Sequence, residues 1–257
     1  MMKLFDNAFS PFARKVRLVL DHKGLDYETV DGLNRSNAEE LEHANDRAEV
    51  PALIDDGFTV INSSHIVSYL EHAYGQNSVY PEDPKTRAQA LAWERCSDTI
   101  IDAILVDISY WTWADRPDTM PDGLLNKAQQ DLSQIYDALE SALADNDFIC
   151  GAISIADLAL FPQLSAIFTL KVPIDKERHQ KLSLWMRRMK TLPICEADVM
   201  RLQKYLTTIA DQDVERTKIF WRGDRIEWLL ASGHHKWFMK EIEEGRVNWP
   251  GLGIPNN

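Results

Sequence analysis

The stretch Ser10-Pro11-Phe12-Ala13-Arg14-Lys15-Val16 decides the reading of this chain. Before it lies a short apolar run, Lys3-Leu4-Phe5, ended by Asp6-Asn7. After it, Phe12, Val16, Val19, Leu20 and Lys23 recur at helical spacing. The pattern predicts a strand, then a helix that begins near Phe12 and closes at Gly24. Serine before a helix is most often a plain N-cap. The same position also sets a hydroxyl among unpaired N–H groups at the positive end of the helix dipole, where an anion such as a thiolate is favoured. Ser10 therefore has both a structural and a chemical reading.

Working outward, residues 27–30 read as a second strand, and residues 37–44 as a short polar helix or an irregular segment. Ala52-Leu53-Ile54, Asp55-Asp56-Gly57 and Phe58-Thr59-Val60-Ile61 form a hairpin signal, because Asp-Gly suits a tight turn. Ser63 opens a helix carrying Ile66, Val67, Tyr69 and Leu70, which ends near Gly75. The order is βαβ, a variable piece, then ββα. The expected fold class is an α/β thioredoxin-like N-terminal domain over residues 1–75, joined to an all-α helical C-terminal domain over residues 85–213.

Residues 75–84, with Pro81 and Pro84, read as the linker. Residues 85–113 are expected to form one long helix with Ala88, Leu91, Ala92, Cys96 and Ile100 on one side. Residues 124–144 carry a second stripe of Leu125, Ala128, Leu132, Ile135 and Leu139. Ser154-Ile155-Ala156-Asp157 has the form of a capping box, with Ile153 and Leu158 placed for the hydrophobic staple. Helices are expected over residues 183–189 and 197–209. The last segment, residues 214–257, holds four of the eight tryptophans. It is too aromatic for a disordered tail and is expected to pack on the helical domain or on a partner subunit.

Composition narrows the class. The 257 residues are 45% hydrophobic and 26% charged, enough for two modest cores. The net charge of -12 disfavours nucleic acid and anionic membranes as partners. Cys96, Cys150 and Cys195 are far apart and have no zinc spacing, so a reduced cytoplasmic setting and no metal are expected. The N-terminus lacks a signal-like apolar core, and no apolar run reaches membrane-spanning length.

Two further elements bear on chemistry. A cis bond at Val50-Pro51 would turn the Val50 backbone N–H and C=O outward to pair with an extended peptide. The plainer reading is a strand-initiating proline. Asn62-Ser63 ends the hairpin and starts a helix. Ser63 can offer a hydroxyl and an N–H to a carboxylate, or serve as an ordinary cap. A thiol has a pKa near ~8.5, so a protein that uses a thiolate must stabilise it, and a hydroxyl at a helix N-terminus does so.

The order Ser-Pro-Phe-Ala-Arg-Lys-Val (10–16), Glu-Val-Pro-Ala-Leu (49–53) and Val-Ile-Asn-Ser-Ser-His-Ile-Val-Ser-Tyr-Leu (60–70) resembles the N-terminal domain of serine-type glutathione transferases. The 154–157 box after Phe148-Ile-Cys-Gly151 resembles that superfamily's folding motif in the helical domain. The resemblance spans roughly residues 3 to 195. It implies a homodimer that uses glutathione as co-substrate, without a metal, on a small hydrophobic electrophile. By residue, it implies Ser10 as the thiol-activating hydroxyl, and Phe12, Glu49, Val50, Pro51, Asn62 and Ser63 as the glutathione site. The superfamily usually has an acidic residue where this chain has Asn62, and an Asn-Pro where it has Asn45-Asp46-Arg47-Ala48. The C-terminal extension has no counterpart in the plain pattern.

The resemblance places the electrophile pocket near Tyr110, Trp111 and Trp113, whose rings could stack an apolar substrate; a core or dimer-contact cluster is the plainer reading. Arg14 and Lys15 read as solvated helix-face charges. His234-His235 reads as a surface pair beside Trp237, since adjacent histidines chelate poorly. Two functions follow: a glutathione-dependent transferase, including dehalogenase, etherase or isomerase variants, and a non-catalytic protein-interaction module on the same scaffold.

Overall fold

The computed structural model describes residues 1–113, 119–208, 219–220 and 223–248. The elements in chain order are β1 (Met2–Asp6), α1 (Pro11–Lys23), β2 (Tyr27–Asp31), α2 (Ala38–Ala44), β3 (Ala52–Asp55), β4 (Phe58–Ile61), α3 (Ser63–Ala73), α4 (Pro84–Cys96), α5 (Asp102–Trp113), α6 (Leu124–Leu143), α7 (Ile155–Leu164), α8 (Gln180–Thr191), α9 (Pro193–Thr208), β5 (Ile219–Phe220), α10 (Gly223–Ala231), α11 (His235–Glu243) and β6 (Val247–Asn248). Among the described residues, no helix is long and apolar enough to cross a membrane.

The described residues divide into two compact units. One is drawn from residues 1–87 and 187–208, the other from 88–186 and 219–248. In the first unit a sheet runs in the order β2-β1-β3-β4. β1 pairs parallel with β2, and β3 pairs antiparallel with both β1 and β4. The β3–β4 turn is Asp56-Gly57 with φ of 49° and 86°, the left-handed pair that a two-residue hairpin needs. Phe5, Leu41, Ala44, Ala52 and Ile61 form a buried cluster between sheet and α2. This is the thioredoxin-like arrangement that the βαβ-ββα order predicts. α1 ends on Gly24, whose φ of 67° is the left-handed cap expected from its position.

The second unit is helical. Ser154 and Asp157 close the capping box at the start of α7, all of whose residues are buried. Residues 85–113 do not form one regular helix. A π-helical turn, Ser97–Ile101, separates α4 from α5. Of the residues that the spacing puts on one side, Ala88, Leu91, Ala92 and Ile100 are exposed, and Cys96 is half-buried. The buried side is Ala90, Glu94, Ser97 and Ile101. The physical cause is polar: the buried Ser97 hydroxyl donates to the Ala159 carbonyl of α7 at 2.8 Å. Apolar periodicity does not register a polar side chain that faces inward for such a bond.

In the C-terminal segment of this unit, Arg225 of α10 pairs with Asp102 at 2.9 Å. Trp228 donates its indole N–H to Asp131 at 2.9 Å. Trp237 of α11 packs against Trp111 with ring centroids 5.0 Å apart. Trp221 and Trp249 lie outside the described residues.

Candidate thiol site

The sheet register gathers three predicted pieces at one end. Phe5 of β1 lies opposite Ala52 of β3, and Ala52 lies opposite Ile61 of β4. The chain leaving β1 toward Ser10, the chain entering β3 from Val50-Pro51 and the chain leaving β4 into Asn62-Ser63 therefore share one edge. Tyr110 and Trp111 belong to the other unit.

Ser10 is the N-cap of α1, extended at φ -73° and ψ 118°. Its Oγ accepts from the Ala13 N–H at 3.3 Å. Its hydroxyl hydrogen has no acceptor among the described residues, and the residue is only half-buried. Pro11 follows at the first helical position, where a missing N–H costs nothing. The first turn of α1 carries no acidic residue, so no carboxylate competes for the positive end of the dipole. The hydroxyl is thus fixed by one weak bond as acceptor and left available as donor.

The turn before it is held by Asn7, which is 2% exposed. Asn7 Oδ1 accepts from the Phe9 N–H at 2.9 Å, and its carbonyl accepts from the Ser10 N–H at 3.0 Å. Its Nδ2 donates to Asp31 at 2.9 Å and to the Tyr205 hydroxyl at 2.8 Å. In the sequence this residue reads only as the end of a strand.

Arg14 and Lys15 are not solvated. Arg14 is 2% exposed and Lys15 is 1% exposed. Arg14 donates to Asp198 of α9 through Nε at 3.0 Å and Nη2 at 2.7 Å. Arg17 reaches the other oxygen of Asp198 at 2.7 Å and also pairs with Asp6. Burial pushes the Asp6 carboxyl above its usual range, against the pull of Arg17. Lys15 Nζ lies 3.3 Å from Ser64 Oγ. The expectation of a solvated face fails because the partners are remote in sequence, 184 positions away for Arg14 and 49 for Lys15, beyond any local pattern.

The Val50-Pro51 bond is cis. The Val50 backbone N–H and C=O pair with no other described residue, since the β3 ladder begins at Ala52. Gly32 makes this seat possible: a Cβ there would lie 2.6 Å from Val50 Cγ1. The loop behind Val50 is built by buried Asn45, whose Nδ2 donates to the Glu49 carbonyl at 2.8 Å and whose Oδ1 accepts from the Arg47 N–H at 3.1 Å. Gly32 is missed in the sequence, where Asp31-Gly32 directly after a strand is its local sign, and Asn45 is noted there only as part of a loop that departs from the superfamily pattern. Glu49 itself is paired with Arg47 at 3.0 Å, and the Phe12 side chain is buried.

Asn62 caps α3 at φ 70°, its Oδ1 accepting from the Ser64 N–H at 3.1 Å. Ser63 is the first residue of that helix, and its hydroxyl bonds to no described residue. The first turn of α3 also lacks acidic residues, so both helix N-termini suit anions. In the helical unit, Tyr110 and Trp111 stand edge to face at 6.3 Å, with Trp237 against both. The Trp113 side chain lies outside the described residues. Burial pushes the Cys96 and Cys150 thiols up, the wrong direction for a thiolate nucleophile.

The fold defines the class: a thioredoxin-like sheet unit and a helical unit in one chain. The family model described as the glutathione S-transferase N-terminal domain matches residues 4–78, and the corresponding C-terminal domain model matches residues 113–188. The chain is 30% identical over 208 residues to glutathione S-transferase 1 of Manduca sexta, covering 76% of this chain and 90% of that protein. It is 32% identical over 172 residues to a maleylacetoacetate isomerase of Rattus norvegicus, covering 63% and 76% of the two chains. A solved glutathione S-transferase from Drosophila melanogaster superposes with a TM-score of 0.70 at 26% identity, covering 84% and 98%. The chain belongs to the glutathione S-transferase family.

Proposed function

We propose that the chain is a glutathione-dependent transferase in which Ser10 stabilises the glutathione thiolate for attack on a small hydrophobic electrophile. The observation that carries this reading is the Ser10 hydroxyl, held at a helix N-terminus with its hydrogen donated to no described residue. The glutathione thiol would lose its proton to water, and the Ser10 O–H would donate to the sulfur anion and lower its pKa. The sulfur lone pair would then form the S–C bond as the leaving group departs with its bonding pair, or as a double bond opens.

The remaining residues fit the peptide. The free Val50 N–H and C=O would pair with the cysteinyl unit in the manner of an added strand. Ser63 would hold the γ-glutamyl carboxylate at the N-terminus of α3, and Asn62 would accept from its amine. The exposed apolar strip of Leu91, Ala92 and Ile100 supports a homodimer. Neutral Asn62, which removes the charge that would pair with the glutamyl amine, and the tryptophan-rich C-terminal segment favour the non-catalytic, protein-interaction reading.

The test is the ultraviolet thiolate absorbance of bound glutathione across pH, in the wild type and in Ser10→Ala. A thiol pKa depressed in the wild type and restored toward ~8.5 in the variant supports the transferase. No binding, or identical titrations, sinks the role of Ser10 and supports the interaction module.

A further inference from the structure

The geometry points to Tyr205 as a positioning residue for Ser10, acting through Asn7. The inference rests on the transferase reading above and adds to it a residue that no motif contains.

Ser10 is only as well placed as the turn that precedes it. That turn has one organiser, Asn7, whose Oδ1 and carbonyl accept from the Phe9 and Ser10 N–H groups. An asparagine side chain can rotate, and its amide end must be held if its oxygen is to stay on Phe9. Two acceptors hold it: Asp31 Oδ1 at 2.9 Å and Tyr205 Oη at 2.8 Å. Asp31 belongs to β2, within the sheet. Tyr205 comes from α9, about two helical turns beyond Asp198 and therefore on the same side of that helix.

That side of α9 is anchored independently along α1. Asp198 takes Arg14 and Arg17, both nearly devoid of solvent exposure, and Arg201 reaches Asp21 at 3.4 Å and the Tyr27 hydroxyl at 3.3 Å. A buried ion pair is weak evidence for stability, but its geometry is demanding, which suits it to fix register. Three residues of one helix face thus grip the helix that Ser10 caps and the turn that delivers it. The Tyr205 ring is half-buried, so its hydroxyl can be removed without opening the core. The expected consequence is differential: loss of the hydroxyl would leave the Val50 backbone groups in place and loosen the donor that faces sulfur in the proposed site.

The experiment is a double-mutant cycle of Tyr205→Phe and Ser10→Ala, read by the pKa of bound glutathione's thiol and by kcat and KM with a 2,4-dinitrophenyl halide. Tyr205→Phe alone is expected to raise the bound thiol pKa and to lower kcat about fivefold, with KM for glutathione within twofold of the wild type. In the Ser10→Ala background the same substitution is expected to change neither quantity, because its route to sulfur is gone. A Tyr205→Phe effect of equal size in both backgrounds, or a change in thermal midpoint with no change in thiol pKa, would overturn the inference and leave Tyr205 a structural residue. If Ser10→Ala itself leaves the thiol titration unchanged, the transferase reading fails first. If Ser10→Ala shifts it and Tyr205→Phe does not, only the present inference fails.

Discussion

Two serines cap two helices in this molecule, and they are used in opposite ways. Ser154 opens α7 and is 1% exposed. Its backbone N–H and its hydroxyl both donate to Asp157 Oδ2, at 3.0 and 3.1 Å. Ser10 opens α1, is half-buried, and its hydroxyl donates to no described residue. Both helices begin with an extended residue of the same chemistry. What differs is the third position of the helix: Asp157 in one, Ala13 in the other. An acidic residue there consumes the hydroxyl and neutralises the dipole. An alanine leaves both for a ligand. The function of a cap serine is thus set by what stands across from it, not by the serine.

The largest effect should come from breaking the committed cap. Asp157 accepts from Ile149 N–H at 3.0 Å, Trp185 indole N–H at 2.8 Å and both Ser154 donors. Asp157→Ala would orphan these donors in a site with no solvent, at about 1–3 kcal/mol each where they stay unsatisfied. A loss of about 4 kcal/mol or more, measured by urea unfolding, is expected; a loss under 1 kcal/mol would mean that the box contributes little. Ser10→Ala should show the reverse profile. Its stability cost is about 1 kcal/mol, the ordinary value of an N-cap. Its turnover should fall about 100-fold, the scale for losing one donor to a developing or bound anion. If turnover instead tracks stability in both variants, the distinction between the caps disappears.

Much of this contrast is legible in the sequence. Ser154-Ile-Ala-Asp157 displays its own partner three residues on, so the closed box can be read directly. The βαβ-ββα order is legible for the same reason: strand runs, the Asp56-Gly57 turn and Gly24 are local signals. The support of Ser10 is not, because its partners are remote. Asn7 meets Tyr205 across 198 positions, and Arg14 meets Asp198 across 184. A buried arginine and a solvated one look alike until the opposing carboxylate is known. The exposed face of α4 misleads in a related way. Ser97 turns inward for a carbonyl, and the apolar residues are left outside. Local patterns carry the elements, and non-local polar pairs decide which faces and which caps are put to use.

Carboxylates repeat the contrast within the helical unit. Asp157 is surrounded by donors, whereas Asp107 of α5 is fully buried and neither of its oxygens has a hydrogen-bond partner among the described residues. Burial raises its pKa well above the ordinary value; Arg225 opposes this and Asp102 adds to it. Folding therefore takes up a proton at pH values between the ordinary carboxylate pKa and the raised one. Stability falls as pH rises through that window, by up to about 1.4 kcal/mol per unit. Asp107→Asn keeps the shape and removes the proton. Its thermal midpoint should equal the wild type near pH 4 and exceed it increasingly toward neutrality. A constant offset across pH would show that Asp107 is ionised in the folded protein.

Asn62 is a partly committed cap, intermediate between these two cases, and allows the finest test. Its Oδ1 is committed to the Ser64 N–H at 3.1 Å, yet the residue is exposed and a carboxamide oxygen retains a second lone pair. Asn62→Asp keeps the cap, since aspartate also tolerates the φ of 70° and accepts the same bond. It adds a negative charge to a helix N-terminus that has no other acidic residue in its first turn. A glutamyl ammonium bound there would gain a charge-assisted hydrogen bond in place of a neutral one. Because the position is exposed, the gain should be small and screened: about a fivefold lower Kd for glutathione at low salt, shrinking toward unity near 1 M. The kcat value and the bound thiol pKa should hardly move, because in the proposed site the added charge would lie at the glutamyl end and Ser10 would address sulfur. A thiol pKa raised along with the tighter binding would mean that the new carboxylate acts on the sulfur, and the two helix N-termini would then have to be treated as one electrostatic site.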